Sequence, residues 1–189
     1  MRELQAYLQS YFGADEEDIE KLISYFHPAT LPKGGYFLKA GRVCDKFSFQ
    51  RSGLLRVYAS HGEKEVTQWI SYRGNFITDL AGMIYNEPSR YNIQALTTCE
   101  FYTINKNDYN NLSKQMDKWA QLERVLITRC YAFLESRIFG LLSMTGEERY
   151  QSLFMQSPEL FNEVPLKYLA SMLGMTPESL SRIRKNTGV

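Results

Sequence analysis

The chain reads as an α+β protein: N-terminal helices, a small antiparallel β-barrel or jelly roll, one long helix, and a helix-turn-helix at the C-terminus. Three observations point there. Short β-type runs recur between Leu31 and Ile104, with turn signals at roughly eight- to twelve-residue intervals. A segment free of proline follows Asp108. Near the end, small, glycine, capping and apolar residues fall at the spacings that two tightly crossing helices need.

Residues 1 to 26 carry Leu4, Leu8, Ile19, Leu22, Ile23 and Phe26 at helical spacings around a Gly13-Ala14-Asp15 break, which predicts two packing helices. The β-type runs are YFLKA, KFSFQ, LLRVYAS, EVTQWI, YNIQAL and EFYTI, separated by LPKGG, AGRVCD, SHGEK and SYRGN. From Leu112 to Leu142 two apolar stripes run along one predicted helix of about 30 residues. Trp119, Leu122, Leu126 and Phe133 form one; Ile127, Tyr131, Leu134, Ile138 and Leu141 form the other. Two stripes need two covers, the chain's own barrel and a partner subunit, unless the helix is buried wholly within its own chain. Arg124, Arg129 and Arg137 interrupt the stripes, so this is not a regular heptad zipper.

The 189 residues are 44% hydrophobic and 14% aromatic, enough for real cores. No segment approaches the roughly 20 apolar residues of a membrane span, and the N-terminus lacks a secretory signal. A soluble cytoplasmic protein with no membrane partner is expected. Cys44, Cys99 and Cys130 are odd in number and scattered, and His27 and His61 are the only histidines, so neither a disulfide framework nor a metal site is expected. No G-x-S-x-G, P-loop or HExxH motif occurs, and the histidine cluster of a cupin-type metalloenzyme is absent, so the chain is not expected to be an enzyme. Lys and Arg total 22 against 21 Asp and Glu. Any contact with nucleic acid must therefore come from local charge, and Arg182, Arg184 and Lys185 supply it.

The segment PLKYLASMLGMTPESLSRIRK is the most specific motif. Ala170 and Gly174 allow close helix crossing and chain reversal. Leu169, Leu173, Leu180 and Ile183 point inward, and Met175 fills the turn. Thr176 caps the second helix and Pro177 occupies its first position, without a full capping box because Ser179 stands at the third. The outward face then carries Glu178, Ser179, Arg182 and Lys185 or Asn186. An arginine such as Arg182 suits guanine O6 and N7, Glu178 suits cytosine N4, Ser179 a base or phosphate, and Arg184 and Lys185 phosphates.

Taken together, LPKGGYFLKAG, SGLLRVYAS, GNFITDLAGMI, SRYNIQALTTCEFYTI and the C-terminal motif resemble the CRP/FNR superfamily of bacterial transcription regulators, with RYQSLF and VPLKYLASMLGMTPESLSRIRK similar to members found in Bacteroidetes. The resemblance implies residues 1–111 as an effector-binding-like, cyclic-nucleotide-binding-like jelly-roll domain, 112–143 as a long dimerisation helix, and 144–189 as the DNA-binding domain. It implies a homodimer on double-stranded DNA, with RNA polymerase a candidate partner. Its effector pocket would lie between barrel and long helix, drawing on Asp79, Leu80, Ser89, Arg90, Tyr131 and Leu134.

Members that bind cyclic AMP use Gly-Glu-Leu and Arg-Ser or Arg-Thr segments, where this chain has Thr78-Asp79-Leu80 and Ser89-Arg90. Arg90 thus falls one residue late, and a one-residue shift sends a strand-edge side chain to the opposite face. Cyclic nucleotide is therefore not the favoured effector, and no other cofactor is expected; the clustered cysteines of an iron-sulfur sensor are missing. On the recognition helix, Glu178 and Arg182 match two of three common family positions, while Pro177 replaces the first arginine. Many relatives carry a β-hairpin wing after this helix, and the sequence stops at Val189. A DNA preference of its own is expected. The alternative is a cyclic-nucleotide or small-molecule sensor that works through protein contacts, its terminal helices serving as a protein interface.

Overall fold

A computed structural model describes residues 2–12 and 16–187; the expected Gly13-Ala14-Asp15 break and Val189 lie outside them. Two helices, α1 (Arg2–Phe12) and α2 (Glu16–Ser24), precede strands β1 (His27–Leu31), β2 (Tyr36–Leu38), β3 (Lys46–Ser52), β4 (Leu55–His61), β5 (Lys64–Ser71) and β6 (Phe76–Ile77). A short helix α3 (Leu80–Tyr85) leads to β7 (Asn92–Ala95) and β8 (Cys99–Asn105). Helices α4 (Lys106–Gln115), α5 (Trp119–Ser143), α6 (Gly146–Gln156), α7 (Leu160–Glu163), α8 (Leu166–Met172) and α9 (Pro177–Thr187) complete the chain.

The strands form two four-stranded antiparallel sheets, ordered β1-β8-β3-β6 and β2-β7-β4-β5. This is the expected jelly-roll arrangement, and each of the six β-type runs contributes a strand. Phe47, Phe49, Leu55, Ile93, Phe101 and Ile104 are buried in one core cluster; alternate residues of a strand face opposite sides, so Phe101 meets Phe37 of the other sheet while Phe47 meets Tyr109 of α4. Leu4, Leu8, Ile19 and Leu22 of α1 and α2 join this core, as do Leu112, Trp119, Leu122 and Leu126.

The long helix begins at Trp119 rather than at the expected Leu112, which lies inside α4. Met116 is extended (φ −144°, ψ 106°) and buried, and it ends α4. Trp119 then turns in to meet the Tyr109 ring at 5.1 Å. No proline or glycine marks this break, so apolar periodicity ran through it.

The two stripes of α5 part company. Trp119, Leu122 and Leu126 are buried against the barrel, and Phe133 meets Trp69 edge-on at 4.9 Å. Ile127, Tyr131, Leu134, Ile138 and Leu141 are exposed, Tyr131 by 66%.

A second core holds the C-terminal helices, with Tyr150, Leu160, Leu169, Ala170 and Leu180 at 1% exposure or less. It is continuous with the barrel through Leu54 and Ile70. Arg56 fastens the same junction. Its side chain is 3% exposed, donates from Nε to Thr67 Oγ1 (2.9 Å) and from Nη1 to Glu65 (2.6 Å), and lies between the rings of Tyr58 and of Tyr168 on α8. The Thr67 N–H donates to Ser171 Oγ (2.9 Å), so the first helix of the C-terminal pair sits on β5.

Candidate nucleic-acid interface and effector cassette

Helices α8 and α9 cross through a tight turn. Gly174 has φ +67°, a conformation that costs a side-chain-bearing residue, and the Met175 N–H returns to Ala170 O at 3.0 Å. Leu169, Ala170 and Leu180 are fully buried in the crossing, while Met175 and Ile183 pack partly buried at its edge. The Ser179 N–H donates to Thr176 Oγ1 at 3.2 Å, which is the expected cap, and the two hydroxyls lie 3.2 Å apart. Ser179 and Thr176 are thereby engaged with each other.

Glu178, Arg182, Lys185 and Asn186 are exposed on one side of α9, with Arg184 half-buried beside them. The Glu178 carboxyl is held below the usual carboxylate range by its own backbone N–H, by the Thr176 hydroxyl and by Arg182. Helix-terminal N–H groups favour an anion at this end. Glu178 therefore stays ionised and lies close enough to Arg182 for the two charges to interact.

Of the other candidate residues, Asp79, Leu80 and Ser89 sit at α3. Asp79 caps that helix, accepting from the Gly82 N–H at 2.8 Å, and its second oxygen accepts from Ser89 Oγ at 2.6 Å. Ser89 is 4% exposed, pinned where its N–H donates to Arg42 O and its carbonyl accepts from the Gly41 N–H. Gly82 is required here, since a Cβ would come within 2.6 Å of the Cys44 backbone nitrogen. Lys106 Nζ donates to Gly82 O and to Asn86 Oδ1, both at 2.6 Å, closing the far side. Arg90, the next residue, is exposed, with its guanidinium 6.0 Å from the Tyr91 ring.

The structure thus brings Asp79 and Ser89 into contact with Leu80 beside them, and leaves Arg90, Tyr131 and Leu134 elsewhere. Leu80 is half-buried in the first turn of α3, and Tyr131 is on the outward face of α5. Leu134 lines a cleft of about 610 Å³ between barrel and long helix with Val57, Trp69, Phe76 and Phe133. Arg90 lines a different cleft, between the β4–β5 hairpin and the α8–α9 turn.

A cyclic phosphate needs N–H and hydroxyl donors and a cation to offset its desolvation. The Gly82 N–H and the Ser89 hydroxyl are already committed to Asp79, and Arg90 points away. This donor set does not fit that group. Sequence reasoning missed how Arg56, Arg137 and Arg149 hold α8 in place, because the groups of α8 they engage, the Tyr168 ring, Met172 O and Leu173 O, are distant in sequence.

Residues 28–116 match the model of the family described as Cyclic nucleotide-binding domain. No curated protein matches the chain. Among solved structures, FixK2 from Bradyrhizobium japonicum superposes with a TM-score of 0.72 at 13% identity, covering 87% of this chain and 86% of its own. A transcriptional regulator of the crp/fnr family from Eubacterium rectale gives 0.71 at 15% identity, covering 97% and 88%. The chain has the fold of the CRP/FNR family of transcription regulators. The Catabolite Activator Protein of Thermus thermophilus shares this CRP/FNR fold at a TM-score of 0.58 and 20% identity, covering 97% of this chain and 88% of its own. In CRP/FNR terms, the barrel, long helix and terminal helix pair come in the expected order, and no helix among the described residues is long and apolar enough to cross a membrane.

Proposed function

We propose that the protein is a DNA-binding transcription regulator of the CRP/FNR type that acts as a homodimer, with α9 as its recognition helix. The observation that carries this reading is the helix pair itself: a tight, glycine-reversed crossing that buries one face of α9 and leaves Glu178, Arg182 and Lys185 together on the other. Arg182 and Glu178 read base edges, while Thr176, Ser179, Arg184 and Lys185 position the phosphate backbone. RNA polymerase is the partner such a regulator addresses once bound.

The exposed stripe of α5, from Ile127 to Leu141, supplies the dimer contact. A two-fold pair places its recognition helices about 34 Å apart, one turn of DNA, and so reads a near-palindrome. The domain division expected at 111 then shifts to the end of α4 at Gln115, with the DNA-binding part beginning at 144.

Selection of binding sites from genomic DNA, followed by shift assays, tests this. Wild type retains a near-palindromic site, Arg182→Ala loses it, and reselection with the variant relaxes one position of each half-site. Sedimentation of the full chain at micromolar concentration gives a dimer; a monomer removes the proposed geometry.

A further inference from the structure

Where α5, α6 and α8 meet under the barrel, a cleft of about 210 Å³ is lined by Ser136, Arg137, Arg149, Ser152 and Gln156, with Trp69, Phe133, Leu141 and Met172 as its apolar wall. Its polar side chains are two arginines, which can only donate, with Ser136, Ser152 and Gln156, which can donate or accept, and no acidic residue lines it. Neither arginine has a carboxylate within 4.0 Å among the described residues. Among the described residues Arg137 donates one long bond, to Met172 O (3.4 Å), and it stands 4.9 Å over the Trp69 ring. Arg149 donates from Nε to Leu173 O (2.8 Å) and from Nη1 to Met144 O (2.6 Å).

Met172 O and Leu173 O lie at the C-terminal end of α8 and Met144 O at that of α5, which gives each arginine a structural duty. They use only part of ten N–H donors, five on each guanidinium, and they leave two positive charges unneutralised. Burial lowers the Arg137 pKa, the mark of a cation that has given up water without gaining an anion. Pockets for drug-sized ligands run from about 300 Å³ upward, so this cleft suits something smaller.

We propose that this cleft is an oxyanion site, taking inorganic phosphate or the carboxylate of a small organic acid between Arg137 and Arg149. An anion there joins the long helix, α6 and α8 through one set of charge-assisted hydrogen bonds, at the junction where the C-terminal helices pack on the barrel. The site is separate from the α3 cassette and does not depend on DNA binding.

The test uses the full chain at constant ionic strength, exchanging sodium chloride for sodium phosphate or sodium succinate. Thermal unfolding and tryptophan fluorescence are followed, since Trp69 lies beneath Arg137. A saturable rise in melting temperature with a fluorescence change is expected from phosphate, succinate or both, and the stronger response identifies the natural chemistry. Arg137→Gln weakens that affinity about tenfold, the loss of one charge-assisted bond. Ser152→Asp places a carboxylate in the cleft; it melts higher than wild type in chloride alone and no longer responds to either anion. The proposal is overturned if neither anion acts beyond chloride, or if the response survives undiminished in Ser152→Asp, whatever Arg137→Gln does.

Discussion

The α3 cassette and the α8–α9 pair are built from similar parts, a capped helix with polar side chains at its N-terminus, yet they treat those polar groups in opposite ways. At α3 the Asp79 carboxylate is turned inward and takes up Gly82 and Ser89. At α9 the cap is closed locally by Thr176 and Ser179, and Glu178 and Arg182 remain on the surface. Polar chemistry spent inside the chain stabilises it; polar chemistry left outside is available to a partner. Scaffold likeness alone does not distinguish the two.

The contrast breaks most visibly if the apolar support of the exposed face is removed. Leu180 is fully buried in the crossing, so Leu180→Ala should cost about 2–5 kcal/mol of stability by denaturant unfolding and abolish DNA shifts at the same time. Asp79→Ala strips the α3 cap and leaves the buried Ser89 hydroxyl only its Tyr91 backbone partners. It should cost about 1–3 kcal/mol of stability with DNA affinity per folded protein unchanged. Arg182→Ala is the mirror image: a loss of about 1–3 kcal/mol in affinity for the selected site, with stability within about 0.5 kcal/mol of wild type. If Asp79→Ala instead weakened DNA binding directly, the cassette would be part of the interface and the contrast would fail.

The smallest effect is on pH. Glu148, tied to the Thr145 backbone and hydroxyl, and Glu178 are both held below the ordinary carboxylate value of 4.5. Their lowered folded values mean that their contribution is present in full above that pH and is lost as pH falls through the folded values. Acid titration watched by far-UV circular dichroism should show a slightly earlier loss of helix in Glu148→Gln than in wild type.

Much of this arrangement is legible in the sequence where local rules act alone. Gly174, Thr176 and Pro177 mark a turn and a helix start whatever surrounds them, and the six alternating runs all became strands. The Thr145-to-Glu148 spacing is a readable capping box at the start of α6 that pattern reading passed over. Strand β1 is harder to see, because HPATL has a proline and no alternation; it exists by pairing with β8 from Leu31↔Cys99 to His27↔Thr103.

The cassette lay between these cases. Ser89 is buried and Arg90, one residue late, is exposed, but the Asp79–Ser89 pair needs a ten-residue excursion through α3 that no spacing rule reports. Tyr131, which the resemblance groups with these residues, is exposed on the outer stripe of α5; apolar periodicity cannot say which stripe of a two-striped helix faces its own barrel.

Salt dependence of DNA binding tests the central claim most directly. With the wild-type chain on its selected site, the logarithm of the association constant should fall linearly with the logarithm of salt concentration, as lysine and arginine contacts release phosphate counterions. Arg182→Ala should bind more weakly at every salt concentration. An absence of salt-dependent affinity for any DNA, selected or random, would contradict the account.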